Sequence, residues 1–294
     1  MSDARTIRRI GVVGAGTMGA GIAQVMAAAG LDVTLVDQTD AFVAKGLATV
    51  TSGLDRLVSK GKMDAGERDA VLARIATSTA TADLAGAGLA IEVVPERFEI
   101  KRDVLRGIAE AVGTDAIIAS NTSSISITAL AALVERPERV IGMHFFNPVP
   151  VLALVEVIRG LQTGDETVSR TMALAARIGK TPVEVADAPG FVANRLLLPM
   201  INEAVFALAE GVASADDIDT VMKLGAAHPM GPLALADLIG LDVCLGIMEV
   251  LQEQFGDDKY RPAPLLRQMV AAGRLGRKSG RGFHDYARKE GVSA

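Results

Sequence analysis

Residues 8–37 read RRIGVVGAGTMGAGIAQVMAAAGLDVTLVD. A short apolar run, Ile10 to Val13, ends in Gly14-Ala15-Gly16-Thr17-Met18-Gly19; a helix-compatible run follows, and a second apolar segment, Val33 to Val36, is closed by Asp37. The order is strand, glycine turn, helix, strand, acid. In such a unit Gly14 allows the tight turn, Gly16 lets the backbone approach a pyrophosphate, and Gly19 lets the helix sit close to the strand. The helix N-terminus offers N–H groups and positive dipole to the phosphates. Asp37 stands 23 residues after Gly14, where a carboxylate accepts from the ribose hydroxyls and repels a 2′-phosphate, so NAD is expected over NADP.

The same stretch has a rival reading. Arg8 and Arg9 precede 22 uncharged residues, Ile10 to Leu31, with three alanines near the end, a pattern resembling a secretory signal or a membrane span. Six glycines within those residues argue against it, and cleavage there would leave Asp37 without a purpose.

At 294 residues, half of them apolar, the chain suits one large or two ordinary domains and can bury a sizeable core. A net charge of −5 with no Trp, two Tyr and eight Phe supplies neither the basic surface nor the stacking platforms that nucleic acid requires. The single cysteine, Cys244 in LDVCLGIMEV, has no internal disulfide partner and reads as a buried thiol. With no targeting segment, the expected setting is the reducing cytoplasm, with no membrane partner. No Cys/His/carboxylate cluster has metal spacing, so no metal is expected; methionines such as Met18, Met26 and Met222 read as packing.

After Asp37 two charged helical segments, about 40–60 and 64–75, read as a helical hairpin. Apolar runs recur at Leu89 to Val94, Ala116 to Ser120 and Val140 to Phe146, separated by helical patterns such as Glu96 to Val112. This alternation predicts a Rossmann-type, doubly wound α/β sheet, mostly parallel, extended by strands at Leu152 to Ile158 and Pro182 to Val185 around a helix near 166–178. From Pro189 the strand-like runs stop. Two domains are therefore expected, residues 1–188 for the dinucleotide and an all-helical domain at 189–294. The latter carries helices near 191–209, 215–224, 231–253 and 264–272. The final stretch, RLGRKSGRGFHDYARKE, reads as a solvated or interface-facing tail.

In sheets of this type ligands bind beyond the carboxyl ends of the strands. Ser120-Asn121-Thr122-Ser123-Ser124 follows one such end; its hydroxyls and amide suit a substrate carbonyl or the nicotinamide carboxamide, while a hydroxyl there also suits a helix N-cap. His144 ends the next strand. When hydride leaves carbon, the hydroxyl oxygen gives up a proton, and an imidazole, with an ordinary pKa near 6.5, takes it near neutral pH. Glu156 is the only charge between Arg139 and Arg159; a carboxylate on the far ring nitrogen would fix the tautomer and stabilise imidazolium. His228, next to Pro229 and Gly231, reads as a turn residue, and His284 lies in the tail.

Taken together, GAGTMG with Asp37, SNTSS, HFFNPVP with Glu156 twelve residues after His144, PGFVANR and HPMGPLALADLIGLD resemble the L-3-hydroxyacyl-CoA dehydrogenase family, nearest its bacterial 3-hydroxybutyryl-CoA members. The resemblance spans nearly the whole chain. It implies an NAD-dependent oxidoreductase acting on an acyl-CoA, with His144 as general base, Glu156 its partner, and Ser120 and Asn194 binding the substrate's reacting oxygen or positioning it. Further implied are Glu96 near the nicotinamide, Lys101 near both ligands and Lys60 on the CoA phosphates; beside it, the strand-end amide of Asn121 is expected on the cofactor, and the apolar surface of the helices after Pro189 points to a homodimer. A second CoA contact, a serine in the family, is Gly53 here. Two alternatives share these motifs: a dehydrogenase of a free hydroxy acid or sugar acid, and a non-catalytic NAD-binding protein.

Overall fold

The computed structural model describes residues 7–286. The opening stretch becomes β1 (Arg9–Val13), α1 (Thr17–Ala28) and β2 (Asp32–Val36). Helix α1 lacks charges because it is buried on the sheet: Ile22, Ala23 and Met26 are fully inaccessible. Among the described residues no helix is long and apolar enough to cross a membrane, so the uncharged run is a packed strand, turn and helix.

The hairpin after Asp37 is α2 (Asp40–Ser59) and α3 (Ala65–Leu72). Its helices begin at local signals: Thr39 Oγ1 accepts from Phe42 N, and Asp64 and Glu67 form a reciprocal capping box. The second helix stops short of the expected residue 75, because Ile75–Ser78 is a strand, β3, not anticipated from the sequence. It is a four-residue edge strand with one buried residue, Ile75, at its start, too short to show a period of its own; pairing with β2 creates it.

The remaining sheet elements are β4 (Leu89–Glu92), α4 (Phe98–Ala111), β5 (Ile117–Ser120), α5 (Ile127–Ala131), β6 (Val140–Phe145), β7 (Leu154–Arg159), α6 (Asp165–Arg177) and β8 (Thr181–Ala186). The spatial order is β3-β2-β1-β4-β5-β6-β7-β8. Strands β3 to β6 in that order run parallel, β7 runs antiparallel to β6, and β8 parallel to β7. The carboxyl ends of β1, β4, β5 and β6 therefore share one edge, the edge where such sheets bind ligands. Beneath it the core runs through Ile10, Val12, Leu35, Ile91, Ile117 and Ile141, apolar without alternation because helices cover both faces.

A second compact unit begins at Pro189. It contains α7 (Ala193–Ala209), α8 (Ala215–Gly225), α9 (Pro232–Ile239), α10 (Leu241–Phe255) and α11 (Pro264–Ala271), around a core of Leu198, Val205, Leu233, Leu241, Met248 and Leu266. The single helix expected at 231–253 is two, since Gly240 adopts φ +106°, which only glycine accepts without strain. Cys244 is wholly buried, and burial, aided by Asp242 and Asp237, pushes its thiol up to about 12.

The stretch expected as a solvated tail is pinned as far as Tyr286; its last residues, 287–290, lie outside the described residues. Asp237, 1% exposed, accepts from Phe283 N, His284 N and the Tyr286 hydroxyl. Buried Asp219 accepts from Leu233 N and Ala234 N, and His284 Nε2 lies 2.8 Å from its Oδ2. A buried carboxylate needs donors, and the chain folds back to provide them.

Candidate active site

The glycine turn has the shape a dinucleotide requires. Gly14 has φ +110°, and a Cβ there would lie 2.6 Å from Val93 O. A Cβ at Gly19 would lie 1.7 Å from Gly14 O, so α1 approaches the turn as no larger residue allows. A Cβ at Gly16, by contrast, would meet nothing within 4 Å; the space above it is open. No side chain caps α1, which leaves its first-turn N–H groups for an anion. Asp37, half-buried at the end of β2, accepts from Ala15 N at 2.6 Å and from Gln38 N at 2.7 Å. These contacts hold the carboxylate at the rim of the turn, so the residues present fit NAD. Thr17 is exposed and Met18 half-buried on the first turn of α1.

Across the edge, β6 and β7 pair so that His144 stands opposite Glu156. Antiparallel partners directly opposite put their side chains on one face, and Nδ1 of His144 lies 2.8 Å from Glu156 Oε2. Both residues are buried, at 6% and 2% exposure, so the pair is little screened by water.

Between these two features lies a network that sequence reasoning did not foresee. Glu92, fully buried at the end of β4, accepts from Lys101 Nζ at 2.8 Å, Val94 N at 2.7 Å and Ser120 Oγ at 2.6 Å. Lys101 also contacts Glu96 Oε2 at 3.2 Å and donates to Val94 O. Glu96 in turn accepts from the Thr122 hydroxyl and from the backbone and hydroxyl groups of Ser123 and Ser124. Burial alone pushes the Glu96 carboxyl up, but the Lys101 ammonium, the Thr122 hydroxyl and the Ser123 amide outweigh it and hold the group below the ordinary carboxylate range.

This network bears on two of the expected site residues. Ser120 is fully inaccessible and its hydroxyl is donated to Glu92, which does not suit a contact with substrate oxygen; among the hydroxyls of that turn it is Ser123 that is only half-buried. Lys101 is 1% exposed between two carboxylates, which does not suit a grip on a CoA phosphate. Asn121 is half-buried, and its side-chain oxygen accepts from Phe145 N, tying β5 to the strand of His144.

The chain matches "3-hydroxyacyl-CoA dehydrogenase, NAD binding domain" over residues 9–188 and "3-hydroxyacyl-CoA dehydrogenase, C-terminal domain" over residues 190–286. It belongs to the 3-hydroxyacyl-CoA dehydrogenase family. A probable 3-hydroxybutyryl-CoA dehydrogenase of Deinococcus radiodurans is 54% identical over 279 residues, covering 95% of this chain and all of that one. The 3-hydroxybutyryl-CoA dehydrogenase of Bradyrhizobium diazoefficiens is 50% identical, covering 96% and 97% of the two chains. Among solved structures, (S)-3-hydroxybutyryl-CoA dehydrogenase from Ralstonia eutropha superposes with a TM-score of 0.93 at 57% identity, over 96% of this chain and 99% of that one.

In this dehydrogenase a groove of about 540 Å³ runs between α1, α2 and the loop after β6. Lys45, Thr49, Ser52 and Arg56 line it from α2, facing Gln24 and Asn147 to Pro150. The spacing of Lys45, Thr49, Ser52 and Arg56 is that of one helix face, a signal present in the sequence and unused there. Lys60 is exposed at the C-cap of α2. Gly53 sits where α2 presses on α1: a Cβ there would lie 2.8 Å from Gln24 Oε1. Asn194 belongs to the helical unit, buried in the first turn of α7. Glu92 also had a readable signal, being a charge that closes the otherwise apolar strand Leu-Ala-Ile-Glu, by the same logic that singled out Glu156.

Proposed function

We propose that this dehydrogenase interconverts L-3-hydroxybutyryl-CoA and acetoacetyl-CoA with NAD, His144 acting as general base and Glu156 as its partner. The observation that carries the reading is the buried His144–Glu156 pair, at 2.8 Å, on the same sheet edge as a dinucleotide turn; relatives at 50–54% identity named for 3-hydroxybutyryl-CoA supply the substrate.

NAD, when bound, would supply the hydride acceptor, and its reduced form the hydride donor for the opposite direction. The chain's own groups manage the proton. His144 takes the hydroxyl proton at Nε2 while Glu156 accepts from Nδ1, fixing the tautomer and balancing the charge that the ring acquires. In reduction the same proton is handed back to the ketone oxygen. Ser123, the less buried hydroxyl after β5, is assigned to the reacting oxygen in place of Ser120. Asp37 holds the ribose and Gly14, Gly16 and Gly19 the pyrophosphate. Glu96 borders the nicotinamide side through the loop it organises. Lys60, with Lys45 and Arg56 in the groove, takes the CoA phosphates, and a cation on α2 replaces the hydroxyl that Gly53 lacks.

The helical unit exposes Leu196, Val221, Leu224 and Val243, an amount of apolar surface that suits a second copy of the chain; sedimentation velocity should give twice the chain mass. The single buried thiol suits a reducing cytoplasm. The deciding assay follows NADH oxidation with acetoacetyl-CoA and, separately, free acetoacetate. Turnover confined to the thioester is expected. Comparable turnover of the free acid would favour a hydroxy-acid dehydrogenase, and turnover of neither would leave only an NAD-binding protein.

A further inference from the structure

Glu92 has no part in binding or proton transfer as set out above, yet it is the most completely buried charge on the ligand edge. Its two carboxylate oxygens hold three donors from three places: Val94 N in the loop after β4, Lys101 Nζ on α4, and Ser120 Oγ at the end of β5. Its backbone oxygen accepts from Asn121 N at 2.9 Å, and Asn121 Oδ1 accepts from Phe145 N, the residue after His144. Through Lys101 the chain of bonds continues to Glu96, and from Glu96 to Thr122, Ser123 and Ser124. The carboxylate thus joins the loops after β4 and β5, while the backbone carbonyl of the same residue, through Asn121, ties that turn to the strand that carries the base.

Stability alone does not account for such a group. A buried ion pair is seldom more stable than well-packed apolar side chains of the same volume, and β4 is otherwise Leu89-Ala90-Ile91. What only a carboxylate provides is acceptors on both oxygens. It compels Ser120 to donate, and Ser120 Oγ then accepts from Thr122 N at 3.3 Å, which sets the start of the turn that presents Ser123. It also shares Lys101 with Glu96, so that the cation centres the Glu96 carboxylate beneath the amides of Ser123 and Ser124.

We propose that Glu92 is a positioning residue of the reaction: acting through Ser120, Lys101 and Glu96, it holds the Ser123 turn and the β6 end in register with one another. The proposal rests on the ketoacyl-CoA reading above. It adds to that reading a residue that touches neither substrate nor cofactor and yet governs kcat.

The test is Glu92→Gln, which preserves size but replaces one acceptor oxygen with a donor. Whichever way the amide is set, either Ser120 or the Lys101–Val94 side faces a donor in place of an acceptor. A misplacement on the order of 1 Å costs roughly 100-fold in rate, so kcat for acetoacetyl-CoA should fall about 10- to 100-fold. The NADH dissociation constant should stay within about twofold, because the Gly14–Gly19 turn and Asp37 lie outside the chain of bonds. Ser120→Ala should lower kcat in the same direction by a smaller factor. The double variant should be no slower than Glu92→Gln alone, since both act through one link.

A kcat within about twofold of wild type in either single variant would overturn the proposal, even if the melting temperature drops. So would a double variant whose loss is the product of the two singles. If Glu92→Gln does not fold, Ser120→Ala decides alone by the same kcat criterion. Amide exchange gives a readout that needs no turnover: in Glu92→Gln the amides of Asn121, Ser123 and Ser124 should exchange at least about tenfold faster, with those of β1 and α1 unchanged. Unchanged exchange at those three amides would overturn the proposal even if the wild type proved inactive on acetoacetyl-CoA, a failure that would belong to the substrate reading.

Discussion

Replacing Lys101 by Met should destabilise the first unit in a manner that depends on pH. Lys101 is 1% exposed and its ammonium lies 2.8 Å from Glu92, itself fully buried, and 3.2 Å from Glu96. Removing one member of a buried pair leaves the other charge uncompensated, a loss of about 3–5 kcal/mol. Most of this falls on Glu92, because about a third of the Glu96 side chain, 35%, still meets solvent. For a unit the size of residues 1–188, each kcal/mol moves the melting temperature by roughly 2–4 °C, so a drop of roughly 6–20 °C is expected near neutral pH. The sign with pH follows from Glu96. Its folded carboxyl is held low, so in the wild type its contribution is present above the ordinary value of 4.5 and is lost as pH falls through the lowered folded value. Without Lys101 the burial that pushes this carboxyl up is opposed only by the Thr122 hydroxyl and the Ser123 amide, so its folded value rises relative to the wild type and the variant's deficit shrinks as pH falls through the ordinary value toward the wild type's lowered one. Scanning calorimetry of both proteins at about pH 8, 6 and 4 measures this directly. A deficit under about 2 °C near pH 8, or one that stays constant down to about pH 4, would refute the reasoning.

Four further outcomes are expected. His144→Gln should lower kcat about 10²- to 10⁴-fold with NADH affinity nearly intact, and Glu156→Gln should lower kcat with the same cofactor affinity; titration of NADH fluorescence separates rate from binding. Asp37→Ala should narrow the preference for NADH over NADPH by about tenfold in kcat/KM without abolishing turnover, and equal use of both cofactors by the wild type would remove the role of Asp37. Lys60→Ala and Arg56→Ala should each raise KM for acetoacetyl-CoA, more at low ionic strength, and leave KM for a short pantetheine thioester unchanged; equal effects on both substrates would take these cations off the CoA. Cys244, with its thiol pushed up to about 12, should resist alkylation in the native protein and react on unfolding, whereas fast native labelling would contradict its burial.

What the sequence by itself determined is the part of the molecule governed by short-range rules. Strand, glycine turn, helix, strand and acid follow from residues within 30 positions of one another, because steric tolerance at Gly14 and Gly19 and the periods of helix and strand are local properties. The mostly parallel sheet and the helical character after Pro189 were legible for the same reason. The short edge strand β3 was not, since its four residues become a strand only by pairing with β2. The site divides in the same way. That His144 and Glu156 lie near the ligand edge could be read from strand ends and an isolated charge, whereas their 2.8 Å contact is set by the β6–β7 register. Ser120, Ser123 and Lys101 are alike to a sequence reader; tertiary packing buries Ser120 on Glu92, leaves Ser123 half-buried, and encloses Lys101 between two carboxylates. The segment up to Tyr286 is basic and glycine-rich, yet Asp237, nearly fifty residues away in the chain, holds it. Burial and choice of partner are made between residues that only the folded chain brings together, because a buried charge must find its donors wherever the packing supplies them.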